Sequence, residues 1–214
     1  MNENYKFIVD LGINLFFAVL GFVLAIWYDK LGSPQLLFIA EDTTDDIKTN
    51  GWRTRFLHIG IINSPKKVPF LKRQTAFSVH GTISFFAMDG KQVGKTMPIK
   101  WDGTPEPIKF EVVQGQIVTL VDPQLVRVSR FIDIAPDEKE SLAIAVRIYD
   151  DKSAYGWTSE SYFRGWRHPD FALPIGKYTA KVRLTTGDTI FERQFQFNNL
   201  YKFQNFDLIR ENAG

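Results

Sequence analysis

Cysteine is missing from all 214 residues, which excludes disulfides, zinc–thiolate sites, iron–sulfur clusters and thiol nucleophiles. A strong charge of either sign is missing too. Lys and Arg number 26 against 24 Asp and Glu, a formal net charge of +2, so no electrostatic field favours a nucleic acid. Histidine is scarce, at three residues, and no internal repeat or low-complexity stretch is present. What the chain has in quantity is aromatic: 14% of residues, led by 19 Phe, within a hydrophobic total of 44%. That composition argues against disorder and favours a sheet-rich core, and the length suits one sizeable domain plus a short extra element.

The short extra element is near the start. Residues 7–28 form a run of about 22 mostly apolar residues, roughly 33 Å long as a helix against a hydrocarbon core of about 30 Å. Lys6 stands before the run, and Trp27, Tyr28 and Lys30 close it, as expected where a helix meets lipid headgroups. Bulky Trp27 and Tyr28 occupy the place where a cleaved signal peptide needs small residues, so an uncleaved anchor is expected. Asp10, Asn14, Ala18, Gly21 and Ala25 follow one another at steps of four, four, three and four and share one helical face. Small residues let two helices approach closely, so this stripe suits helix association and a homo-oligomer or protein partner; the competing reading is that Asp10 simply reaches water near the headgroups. Basic residues flanking the span are few, and their slight balance favours an N-terminus inside and the remaining domain outside the cytoplasm.

After a short linker at 31–34, period-two alternation dominates residues 35–207, and residues 208–214 read as a tail. Strands are predicted at 35–40, 55–63, 75–87, 108–113, 117–121, 125–132, 141–149, 177–185 and 189–197. The clearest is 177–185, where Tyr178, Ala180, Val182 and Leu184 alternate with Lys177, Lys181, Arg183 and Thr185. Asp89-Gly90 and Gly187-Asp188 mark hairpin turns. About nine strands with turn-rich separators predict an all-β fold, an antiparallel sandwich carried by one transmembrane helix.

The strand at 57–63, the turn-proximal Gly176-Lys177-Tyr178 and the final hairpin resemble the B, F and G strands of immunoglobulin-like sandwiches. The run from Trp101 through Asp102, Gly103, Thr104, Pro105 and Glu106 to Pro107 is similar to segments of uncharacterised prokaryotic membrane-anchored proteins with such a domain. So are Ala154-Tyr155-Gly156-Trp157, Glu160-Ser161-Tyr162 and Gly165-Trp166-Arg167. The resemblance implies an architecture and no chemistry.

Chemical motifs fail individually. Gly90 to Thr96 echoes a P-loop but is one residue short and begins at a hairpin turn, so no nucleotide is expected. Ser64 and Lys67 have the spacing of some acyl-enzyme families but lie between strands. His58 and His80 fall opposite the apolar residues of their strands, where they could be neighbours across paired strands; two imidazoles without a third ligand make a poor metal site. Glu41, Asp42, Asp45 and Asp46 form an acidic stretch that lacks calcium-loop spacing and reads as a solvated loop. No catalytic residue, metal or cofactor is expected.

Residues 153–171 stand apart. They concentrate Tyr155, Trp157, Tyr162, Trp166, Arg164 and Arg167, with Trp101 as an additional contributor, in a connection that would ordinarily be polar. Trp and Arg make binding hot spots, and the same rings could instead plug the open end of the sandwich. The sequence thus leads to a non-enzymatic, membrane-anchored binding module or subunit of a membrane assembly, with the bilayer and a protein as partners. A carbohydrate- or ligand-binding module working through 153–171 is the second reading.

Overall fold

The computed structural model describes residues 3–47, 53–64, 73–165 and 167–209; the side chains of residues 3–10, 110, 117, 119, 162 and 163 are not among those described. The chain opens with α1 (Glu3–Gly32), β1 (Leu36–Ala40), β2 (Thr44–Ile47), β3 (Arg53–Asn63), β4 (Ala76–Ala87) and β5 (Gln92–Pro98). A hairpin of β6 (Ile108–Val113) and β7 (Gln116–Val121), the helix α2 (Pro123–Val128), β8 (Ile132–Ile134) and β9 (Lys139–Ile148) follow. The last third holds β10 (Ala154–Gly156), α3 (Ser161–Arg164), β11 (Ala172–Leu173), β12 (Gly176–Thr186), β13 (Thr189–Asn199) and β14 (Phe206–Ile209).

Within α1, Leu11–Gly32 is 22 residues long, unburied, and long and apolar enough to cross a membrane. Asn14, Ala18, Gly21 and Ala25 are exposed along it, while the Asp10 side chain lies outside the described residues.

Two antiparallel sheets face each other in a sandwich-like arrangement. The first has the order β1-β3-β9-β10-β11, with β2 also on β3; the second runs β14-β13-β12-β4-β5, with β8 also on β4. Alternation explains the core. Leu57, Ile59 and Ile61 of β3 meet Tyr178, Ala180, Val182 and Leu184 of β12 and Val79, Ile83 and Phe85 of β4 in one buried cluster, while the intervening residues of each strand look outward. Phe38 of β1 reaches Phe195 of β13 across the layers, ring centres 6.4 Å apart. The turn at Gly187-Asp188 joins β12 to β13 with Gly187 at φ 51°, and Gly90 takes φ 83° between β4 and β5.

Several sequence expectations change. Residues 125–132, expected as a strand, are α2 and the approach to β8. Asp122 caps the helix by accepting from Gln124 N (2.9 Å) and Leu125 N (3.4 Å), and Pro123 in the first turn has a preset φ. The expected solvated acidic loop contains a strand, because Asp45 is held by Arg55 Nε (2.5 Å) and Arg53 (3.2 Å) across the β2–β3 pair. Fourteen strands are present among the described residues rather than about nine; most of the extra ones are edge pieces of two to seven residues that periodicity does not register.

Candidate functional site

The outward face of the first sheet carries a polar cleft assembled from four parts of the chain. β3 and β9 pair regularly up to Leu57/His58, where the register shifts and Ile144 of β9 is left without a partner. A bulge of this kind re-aims side chains. Here His58 points outward between Thr44 and Asp102, with Nε2 2.7 Å from Thr44 Oγ1 and Nδ1 2.8 Å from Asp102 Oδ2. The hydrogen-bonded chain continues: Ser141 Oγ donates to Asp102 Oδ2 (2.9 Å) and lies 2.6 Å from Glu41 Oε2, while Glu41 Oε1 pairs with Lys139 Nζ. Together with Ile39, Ala40 and Asp42 these residues line a cavity of about 640 Å³.

Asp102 is placed by its neighbour in sequence. Trp101 forms a single antiparallel bridge with Leu142, buries its whole surface and donates Nε1 to Val79 O (3.2 Å). The Asp102 amide then bonds to Ser141 O (2.9 Å), and its Oδ1 accepts from Ala143 N (3.0 Å). Burial works to raise the Asp102 carboxyl, but the hydrogen bond and charge of His58, with Ser141 and Ala143, outweigh it and hold the group below the usual carboxylate range. Trp101 is therefore corrected from a recognition residue to a core anchor: a fully buried ring cannot meet a partner.

Hydroxyl, imidazole and carboxylate in this order are the parts of a general-base relay. Acyl transfer also needs converging N–H donors for the oxyanion. Around this cleft, the Glu41 amide is given to His58 O (3.3 Å) and the Ala143 amide to Asp102. The cluster holds hydroxyl, imidazole and carboxylate groups at fixed positions, an arrangement suited to holding a polar ligand.

Residues 153–171 are mostly built into the fold. β10 pairs with β9, and Trp157 N donates to the carbonyl of the unpaired Ile144 (3.0 Å). Gly156 lies against Met97 and Phe85, where a Cβ would collide with the Met97 methyl and crowd the Phe85 ring. Thr158, Ser159 and Ser161 are completely buried, with Ser161 Oγ on Thr158 O (2.6 Å) and Ser159 Oγ 2.9 Å from Ser129 Oγ. Tyr155 and Trp157 are half-buried, and Trp157 packs edge-on against Phe56 at 5.3 Å, itself 6.1 Å from His58. Arg164 and Arg167 are exposed and paired with Asp170 (2.7 Å) and Asp151 (3.1 Å). The Tyr162 side chain and Trp166 lie outside the described residues.

His58 and His80 sit in different sheets, so they are not cross-strand neighbours; His80 instead packs against Phe131, ring centres 5.1 Å apart. The sequence missed the Thr44, His58 and Asp102 cluster because its members are separated by 14 and 44 positions and meet only through the β2–β3 pairing and the Trp101 bridge.

No family model matches this chain, and no curated protein matches it. A solved structure described as the X-ray structure of Northeast Structural Genomics Consortium target SoR45 aligns over 85% of this chain and 96% of its own, with 11% identity and a TM-score of 0.29. Two chains that share so little pass neither fold nor function from one to the other.

Proposed function

We propose that this protein is a non-enzymatic, single-pass membrane-anchored binding module whose ligand face is the outer surface of the first sheet. The observation that carries the reading is the cleft itself: Thr44, His58, Asp102, Ser141 and Glu41 are fixed by one another around about 640 Å³ of open space. Fixed donors and acceptors beside a cavity favour recognition of a polar group, since little side-chain freedom is lost on binding. α1 supplies the anchor, and its Asn14, Ala18, Gly21 and Ala25 stripe the surface for a second helix.

An immunoglobulin-like topology fits this reading. The orders β1-β3-β9 and β13-β12-β4-β5 correspond to strands A-B-E and G-F-C-C′ of such sandwiches. Tyr178, near the start of β12, donates its hydroxyl to Pro174 O (2.7 Å), the pattern of a tyrosine corner. The few basic residues flanking α1 favour a domain outside the cytoplasm; protease digestion of the domain in intact cells checks that side.

A second reading, a glycan-binding face, is favoured by one feature: Trp157, Phe56 and His58 form a continuous run of rings leading into the cleft. The test is recovery of partners in mild detergent by full-length protein and by Thr44→Val and His58→Ala variants, with the same proteins applied to immobilised glycans. Loss of a specific partner in both variants supports the protein reading, and loss of glycan retention supports the second. Undiminished recovery by folded variants removes the cleft from consideration.

A further inference from the structure

The C-terminal end of α1 is fastened to the sandwich. Gln74 donates its amide to Gly32 O (2.8 Å) and its side chain to Asp29 Oδ1 (3.2 Å), and Arg73 reaches Ser33 O (2.7 Å). Buried Asn63 gathers the same end of the domain, accepting from Gln35 N (3.2 Å) and donating to Gln74 O (2.9 Å) and Ile134 O (3.0 Å). β1 starts at Leu36, four residues beyond Gly32.

Three large apolar side chains are exposed around this end: Phe77 at 64%, Ile190 at 52% and Phe131 at 45%. Phe77 lies three residues past Gln74. Thr186 Oγ1 donates to Phe77 O (2.8 Å), which brings the β12–β13 turn alongside. Ile190 pairs with Thr185, Thr185 pairs with His80, and the His80 ring meets Phe131. Such side chains gain nothing in water, whereas beside a membrane span an apolar solvent is within reach.

We propose that Phe77, Ile190 and Phe131 form a lipid-contacting rim that seats the sandwich in the interfacial layer of the bilayer. The proposal rests on α1 crossing that bilayer. Of the nearby acids, Asp133 is committed to Ser78 N (2.7 Å), and Asp188 is exposed at the tip of the turn, where it stays among hydrated headgroups. The contact is apolar rather than electrostatic, so neutral phosphatidylcholine is sufficient.

The absence of cysteine makes the test direct. Full-length Phe77→Cys and Ile190→Cys proteins, and a Gln196→Cys control on the same sheet face at the far end of β13, are each labelled with a polarity-sensitive fluorophore and reconstituted into phosphatidylcholine vesicles. The expected result is a blue shift and loss of emission to shallow nitroxide-bearing lipid at 77 and 190, with neither at 196. Protein that co-floats with vesicles but shows the same emission at all three positions overturns the rim and leaves the span intact. Protein that does not co-float overturns both.

Discussion

Arg147 on β9 donates Nη1 to the Oδ1 of Asn199 at the end of β13, 2.9 Å away, and so ties the first sheet to the second through two fully buried side chains. The same guanidinium reaches Leu200 O, Tyr201 O (3.0 Å) and Asp151 O (3.1 Å), and Asn199 in turn donates to Leu173 O (2.7 Å) and Pro174 O (3.0 Å). Burial pushes the Arg147 guanidinium down from its usual value, against the charge of Asp151. Arg147→Met removes every one of these donors and strands buried acceptors, so it is expected to cost about 3 kcal/mol and lower the thermal midpoint by roughly 10 °C. Thermal unfolding of the purified variant measures this, and a shift within error of zero contradicts a stapling role.

Asp102 sets a pH dependence. Its folded-state pKa is depressed, so the ionised form contributes stability above the unfolded-state value, and that contribution is lost as pH falls through the lower folded value. Asp102→Asn keeps the shape but removes the charge. The parent is therefore expected to be the more stable of the two at neutral pH, with the gap closing in acid below the ordinary carboxylate range. Denaturant titrations of both proteins across that range decide it, and a gap that widens in acid contradicts the assignment.

Tyr178 packs its ring on Phe197, centroids 5.4 Å apart, while its hydroxyl bonds to Pro174 O. Tyr178→Phe retains the packing and loses the bond, for an expected cost of about 1 kcal/mol. Burial raises the Tyr178 pKa, so its phenolic ionisation, followed by ultraviolet absorbance, is expected above that of an exposed tyrosine.

Gly81 lies where β4 crosses Leu184 of β12, and an added Cβ would overlap the backbone carbonyl of Arg183. Backbone in a central strand pair has little room to give. Gly81→Ala is expected to destabilise by about 3 kcal/mol or to prevent accumulation of folded protein, whereas Thr82→Ala, at an exposed neighbouring position, stays near the parent. Equal stability of the two variants contradicts this packing.

Trp157 and Arg167 separate packing from recognition within 153–171. Trp157→Ala removes the edge contact with Phe56 and is expected to cost about 2 kcal/mol, since the ring is half-buried. Arg167→Ala breaks an exposed ion pair and is expected to leave stability within about 0.5 kcal/mol. Partner recovery measured beside unfolding then shows which of the two matters for binding: a folded Arg167→Ala protein that loses its partner places recognition on this segment.

What could be read from the sequence follows physical range. The apolar run of α1 and the alternation of β12 are local patterns, and each appears where the sequence placed it. Residues 125–132 read as a strand because Val126 and Val128 alternate, while the decisive feature, the Asp122-Pro123 cap of α2, lies just outside the run. Trp101 reads in the sequence as an additional contributor to the aromatic segment, because composition marks an aromatic without revealing the single bridge to Leu142 that buries it. The cleft left no local trace. Its donors come from distant positions, and the bulge that turns His58 toward Asp102 depends on an extra residue in the opposite strand.

The bonded junction between α1 and the sandwich also sets a ceiling on where the cleft can go. Glu41 is nine residues beyond Gly32, and even a fully extended chain of that length carries it no farther than about 30 Å from the helix end. Where α1 crosses a bilayer, the cleft patrols a thin layer above the lipid. A partner fixed in the same membrane is then met by lateral diffusion, at an effective concentration set by area rather than volume, and a weak intrinsic affinity is enough to keep the two together.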